Sequence, residues 1–122
     1  MGAVKELKSY CTEAAQRFLW RNGYDILECG WGSDGESVDF VLKDEEGTLV
    51  FLDVNAREGS AGGFPKERKA SKERGRFERV ALSYIESHWT PECKVRFDVL
   101  SVVILGADRA MLRHHLGAYS AA

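Results

Sequence analysis

The sequence predicts a single α/β domain in which helices pack against one central sheet. Two long amphipathic segments are separated by a run of strand-like segments, of which the clearest is residues 49–57, LVFLDVNAR. The predicted order is α-β-β-β-α-β-α, over one domain of residues 1–122. The connection from the third strand through the second helix to the fourth strand predicts a right-handed crossover with parallel pairing.

Each element is predicted from its hydrophobic period and its flanking turn residues. The two long helices carry apolar residues at three- and four-residue spacing, whereas the strand candidates alternate or are continuously apolar. A turn over residues 44–47 makes the second and third strands a hairpin, and a glycine-rich turn is predicted over residues 30–35. The last segment is predicted as a helix because Leu112, His115 and Leu116 share a helical register. The predicted bounds are 4–21, 24–29, 37–43, 49–57, 66 or 71 to 88, 95–105 and 110–119.

Two acidic residues lie on the neighbouring strands of the predicted hairpin. Asp39 is on the second strand and Asp53 on the third, and strand alternation allows their carboxylates to face each other. Adjacent carboxylates repel, so a cation between them would stabilise the pair. Glu13 on the first helix is the candidate third ligand, and an all-oxygen set favours Mg²⁺ or Mn²⁺, which activate water for phosphodiester hydrolysis. The spacing alone equally fits surface acids at strand ends, and that alternative stays open.

The charge is unevenly distributed along the chain. Residues 57–79 hold eight Lys/Arg and four Glu, a net +4, so the rest of a chain of net charge −2 carries −6. Such a segment fits either a phosphate-facing surface or a solvated helix of alternating charges. The candidate nucleic-acid contacts within it are Arg57, Lys66, Lys69, Lys72 and Arg76.

The remaining polar and aromatic residues are interpreted as structural. Asp98, on the fourth strand, is expected to pair with Arg96 or with a helix end. His114 and His115 are adjacent and are expected to be a solvated pair, and Trp20 is expected to be partly buried at a helix end. The three cysteines, an odd number without a CxxC pair, predict free thiols that are buried.

Membrane and secretory signals are absent from the sequence pattern. No apolar run is long enough to span a bilayer, and the N-terminus lacks the apolar core of a signal peptide. We therefore expect a cytoplasmic protein that has no membrane partner.

Five motifs in order resemble the YraN family of small bacterial proteins. They are NGYDIL, GESVDF, LVFLDVNAR, ALSYI and RFDVLSV, and the resemblance extends over nearly the whole chain. The YraN family belongs to the PD-(D/E)xK nuclease superfamily. The resemblance therefore implies a restriction-endonuclease-like fold and metal-dependent cleavage of nucleic acid.

The resemblance also implies roles for individual residues. Asp39 and Asp53 match the two strand acids that hold Mg²⁺, and Glu13 matches the glutamate of the first helix. Asn55 stands where the family has the lysine that positions or activates water, and Ser37 is an extra residue that is predicted to re-aim Asp39 as a bulge. Since asparagine carries no charge and cannot act as a base, hydrolysis is expected to be weakened or lost. The lysines that could substitute are Lys66, Lys69 and Lys72.

Two functions follow as hypotheses. In the first, the chain binds DNA or RNA at a centre with degraded hydrolytic activity. In the second, the chain is an inactive scaffold that binds a protein partner or forms a homodimer.

Overall fold

The computed structural model describes residues 2–33, 36–58, 70–88, 92–106 and 109–118. They form a mixed α/β domain in which two helices flank one five-stranded sheet, consistent with a nuclease-like fold. This confirms the predicted fold class. In chain order the elements are α1 (Gly2–Arg21), β1 (Asp25–Ser33), β2 (Glu36–Lys43), β3 (Leu49–Glu58), α2 (Ala70–His88), β4 (Val95–Gly106) and β5 (Arg109–His115).

The strands lie in the sheet in the order in which they occur in the sequence, from β1 to β5. β1, β2 and β3 pair antiparallel, as the predicted hairpin requires. β3 and β4 pair parallel over ten residues, which confirms the predicted crossover pairing across α2. This parallel pair keeps a continuous register, so side chains alternate between the two faces along the whole of β3.

The prediction of a helix at the C-terminal end was wrong. Residues 109–115 form β5, which pairs antiparallel with β4. Ala110 and Leu112 pack against the core, whereas Met111 between them is half exposed. That alternation has a period of two, and pairing with the apolar β4 selected it over the helical register. The glycine-rich turn predicted over residues 30–35 was placed too early, because β1 continues to Ser33.

Each face of the sheet carries its own hydrophobic cluster and one helix. The cluster on the α1 face, the α1-side cluster, contains Cys11, Ala15, Leu19, Tyr24, Phe40, Leu42, Val50, Leu52, Leu100 and Val102. The cluster on the α2 face, the α2-side cluster, contains Val38, Val41, Leu49, Phe51, Phe77, Val80, Ala81, Tyr84 and Val99. Burial of these apolar side chains holds both helices on the sheet.

The apolar stripe of α1 determines which of its residues can approach the sheet. Cys11, Ala15 and Leu19 are four residues apart and buried, whereas Trp20 is 65% exposed, so its predicted partial burial was wrong. α1 ends as predicted, at a glycine with positive φ, Gly23 (φ 83°). Cys11 is buried as expected, but the thiol of Cys29 is exposed. No helix of the described residues has the length and apolar character to cross a membrane.

Candidate functional site

Asp39 and Asp53 meet where the β2–β3 ladder stops. The last paired residues are Phe40 and Leu52, and beyond them side chains replace the backbone ladder. The backbone N–H of Asp39 donates to Asp53 Oδ1 at 3.3 Å, and the backbone N–H of Val54 donates to Asp39 Oδ2 at 2.7 Å. Each carboxylate therefore accepts a backbone hydrogen bond from the other strand.

The two acids differ in their exposure. Asp53 follows Phe51 on the α2 face, and its side chain is 17% exposed. Asp39 is exposed. The alternation of β2 breaks around it, because Val38 belongs to the α2-side cluster and Phe40 to the α1-side cluster. Solvent therefore reaches this pair of acids from the side of Asp39.

The guanidinium of Arg76, on α2, binds the acids Asp53 and Glu73. Arg76 donates from Nε and Nη2 to Glu73 Oε2 at 2.9 and 2.6 Å, and from Nη1 to the carbonyl oxygen of Ser37 at 2.5 Å. Its Nη2 also donates to Asp53 Oδ2. All three nitrogens of the guanidinium are used, which ties α2 to both β2 and β3. We call Asp53, Glu73, Arg76 and the Ser37 carbonyl the arginine-bridged centre.

Burial and ion pairing have opposing effects on the charges in this centre. Burial raises the pKa of Asp53, and the hydrogen bond from Arg76 only partly opposes this rise. For Arg76, burial acts to lower the pKa, but the hydrogen bonds to Asp53 and Glu73 outweigh it and raise the pKa. The ion pair thus favours the charged form of Arg76, and Arg76 favours the ionised form of Asp53 against the effect of burial.

The arrangement does not fit a divalent metal ion. Mg²⁺ needs oxygen ligands in near-ideal octahedral geometry at 2.0–2.1 Å, but the inner oxygens of Asp53 and Glu73 already accept from Arg76. Within the described part of the chain, no three Asp, Glu, His or Cys side chains are grouped to hold a metal. Glu13 is exposed, two residues from both Cys11 and Ala15, and thus about 200° around α1 from the stripe that faces the sheet.

The other predicted site residues fall into three groups. Asn55 and Arg57 follow Asp53 at two-residue steps on β3, and both are half-buried. Lys72 is exposed on the first turns of α2. Lys66 and Lys69 lie outside the described residues.

Further cations of α2 are engaged in ion pairs. Arg79 binds Glu36 on β2 through two hydrogen bonds of 2.7 Å. Arg74 lies 3.7 Å from Glu78, one helical turn on, with both side chains largely exposed. Arg76, a candidate nucleic-acid contact, pairs with Glu73 three residues earlier, which is a spacing at which helix side chains meet.

A second polar cluster is buried on the α1 face. Asp98 is fully buried, and it accepts from Arg96 Nε at 2.9 Å, which confirms the pairing that was expected. His114 Nε2 lies 2.8 Å from Asp98 Oδ2, and the N–H of Gly117 donates to Oδ1 at 2.9 Å. Since the His114 side chain is only 9% exposed, the prediction of a solvated histidine was wrong. Arg96 Nη2 also donates to the hydroxyl of Tyr24 at 2.8 Å.

The fold, a mixed five-stranded sheet flanked by two helices, is of the mixed α/β class and is consistent with a nuclease-like fold. Residues 12–102 match the model of a family described as uncharacterised protein family UPF0102. A UPF0102 protein of Trichlorobacter lovleyi is 31% identical over 110 residues, covering 90% of this chain and 87% of that protein. A UPF0102 protein of Beutenbergia cavernae is 31% identical over 117 residues, covering 96% and 98%. The chain belongs to the UPF0102 family, which is the YraN family that its motifs resemble.

Proposed function

We propose that this chain is a cytoplasmic nucleic-acid-binding domain of the nuclease-like fold in which metal-dependent hydrolysis is lost. The observation that carries the proposal is the ion pair between Arg76 and Asp53. One of the two strand acids of the candidate hydrolytic centre is thereby committed to an internal cation. Asn55 adds to this, because it offers neither the charge nor the base of the lysine that the family has at its position.

Binding is supported by the charge of the segment that leads from β3 into α2. Residues 57–79 carry a net +4 in a chain of net charge −2. Lys72 is exposed at the start of α2. An exposed lysine on a basic segment attracts phosphates without needing sequence-specific contacts.

We expect salt-dependent binding to labelled DNA or RNA, measured by fluorescence anisotropy at several salt concentrations. For duplex DNA the logarithm of the binding constant should fall against the logarithm of salt concentration, with a slope of about −0.9 per phosphate contact. Lys72→Ala should weaken binding and reduce the slope by about one unit, because it removes one such contact.

The matched control for this experiment is Lys43→Ala. Lys43 is an exposed lysine at the hairpin end of β2, outside the basic segment, and its removal should leave the slope unchanged. An equal loss in both variants would argue against the basic segment as the binding surface. Absence of binding to every nucleic acid, combined with a stable dimer at low concentration, would favour the scaffold function instead.

We expect no cleavage of bound DNA or RNA with Mg²⁺ or Mn²⁺. The missing lysine charge removes one electrostatic group, a loss that typically costs about 10²–10³ in rate, and Arg76 occupies the carboxylate of Asp53. The measurement is gel analysis of labelled substrates, with Asp53→Asn assayed beside the unaltered chain. Metal-dependent cleavage that Asp53→Asn abolishes would contradict the proposal.

A further inference from the structure

The arginine-bridged centre has the features of a built cation site rather than of an incidental surface pair. The side chains of Asp53, Glu73 and Arg76 are only 17%, 10% and 21% exposed. Two acids brought this close in a half-buried position repel each other and are costly to ionise. Removal of the positive charge would therefore take away the cation that Asp53 and Glu73 share between α2 and the sheet.

The guanidinium and a divalent ion would need the same oxygens. Arg76 takes Oδ2 of Asp53, Oε2 of Glu73 and the carbonyl oxygen of Ser37 in one planar fork. A divalent ion held by these acids would require the same inner oxygens at a shorter distance, so the two cations exclude each other.

We propose that Arg76 is the resident cation of this centre and takes the place of a divalent metal, so that the domain is stable without metal. This goes beyond the proposed function and does not depend on nucleic-acid binding. The consequence is that the two cations exclude each other at this centre. Divalent metal should not change the stability of the chain with Arg76, whereas it should stabilise the chain without Arg76.

The test compares thermal unfolding of the full chain in EDTA and in millimolar Mn²⁺, monitored by circular dichroism. The unaltered chain should have the same Tm in both. Arg76→Ala should lower the Tm in EDTA by roughly 5–10 °C, because the acidic pair loses its cation. Mn²⁺ should then recover part of that loss in a saturable manner.

Three further variants make the test specific. The double variant Arg76→Ala with Asp53→Asn should lose the Mn²⁺ response. Arg74→Ala, on the same helix but paired only loosely with Glu78, should behave like the unaltered chain. Arg76→Lys retains a positive charge and should remain insensitive to Mn²⁺. If Arg76→Ala fails to fold, the test rests on the measurement of bound Mn²⁺ that follows.

Electron paramagnetic resonance of Mn²⁺ added to the unaltered chain needs no variant. We expect no protein-bound Mn²⁺ at micromolar concentration. Bound Mn²⁺ that Asp53→Asn removes would overturn the proposal. So would an Arg76→Ala variant as stable as the unaltered chain, or one whose lost stability Mn²⁺ does not recover at all.

Discussion

Replacing Asp98 with asparagine is expected to lower the free energy of unfolding by about 3 kcal/mol. The carboxylate accepts from Arg96, from His114 and from the N–H of Gly117, and it is fully buried. Asparagine keeps only one acceptor oxygen and turns an amide donor toward these donors. Breaking a buried charge pair costs about 3–5 kcal/mol. We take the lower end because Arg96, whose side chain is 24% exposed, retains Asp44 and Tyr24 as partners.

Urea denaturation followed by circular dichroism measures this effect, with Asp25→Asn as the control. Asp25 is an exposed aspartate on β1, so the same chemical change there should alter stability by less than about 0.5 kcal/mol. A loss below about 1 kcal/mol for Asp98→Asn would mean that the network on the α1 face contributes little to holding β5 on the sheet.

The effect of Asp98→Asn should depend on pH in a defined direction. Burial alone would raise the pKa of Asp98, but the hydrogen bonds from His114 and Arg96 outweigh it and lower the pKa. A carboxylate with a depressed pKa in the folded state stabilises the fold above its unfolded pKa of about 3.9. That contribution is lost as the pH falls through the folded pKa. The stability difference between the two chains should therefore be full near neutral pH and shrink below about pH 4.

The sequence predicted most of the sheet and failed at its edge. Residues 49–57 are predicted as a strand because β-branched, aromatic and aliphatic side chains follow one another without a breaker, and they lie in the central strand of the sheet. Around Leu112 the pattern satisfies both a helical and an alternating period. What decides between them is the edge of β4 and the buried carboxylate of Asp98, which needs the ring of His114. Those contacts join segments far apart in the chain, which periodicity does not reveal.

The candidate site was likewise predicted only in part from the sequence. Strand alternation and the hairpin predicted that Asp39 and Asp53 lie on adjacent strands, and their mutual backbone hydrogen bonds depend on that placement. The sequence did not reveal that Arg76 would bind Asp53. The packing of α2 on the sheet brings residues 53 and 76 together. The apolar stripe of α2 predicts which face of the helix meets the sheet, but it does not predict which individual side chains are in contact. The charge count over residues 57–79 treated Arg76 as available for phosphate contact, whereas in the structure its guanidinium forms ion pairs with Asp53 and Glu73.

Phe77→Ala is expected to reduce the free energy of unfolding by about 3–5 kcal/mol, the cost of removing a buried phenylalanine and leaving a cavity. Phe77 is fully buried and stacks on Phe97 with ring centroids 5.3 Å apart and an interplanar angle of 22°. The guanidinium carbon of Arg76 lies 4.9 Å from the centroid of the same ring. The ring therefore both anchors α2 on the sheet and supports the side chain that bridges the acids.

Leu82→Ala is the matched control, because Leu82 is on the same helix but 61% exposed and should lose less than about 1 kcal/mol. Equilibrium urea unfolding of both variants, fitted with a common slope, gives the comparison. Phe77→Leu keeps most of the apolar volume and should fall between the unaltered chain and Phe77→Ala. Equal losses for Phe77→Ala and Leu82→Ala would mean that α2 is not held on the sheet through Phe77. The other buried apolar side chains of α2, Val80, Ala81 and Tyr84, would then account for its packing on the sheet.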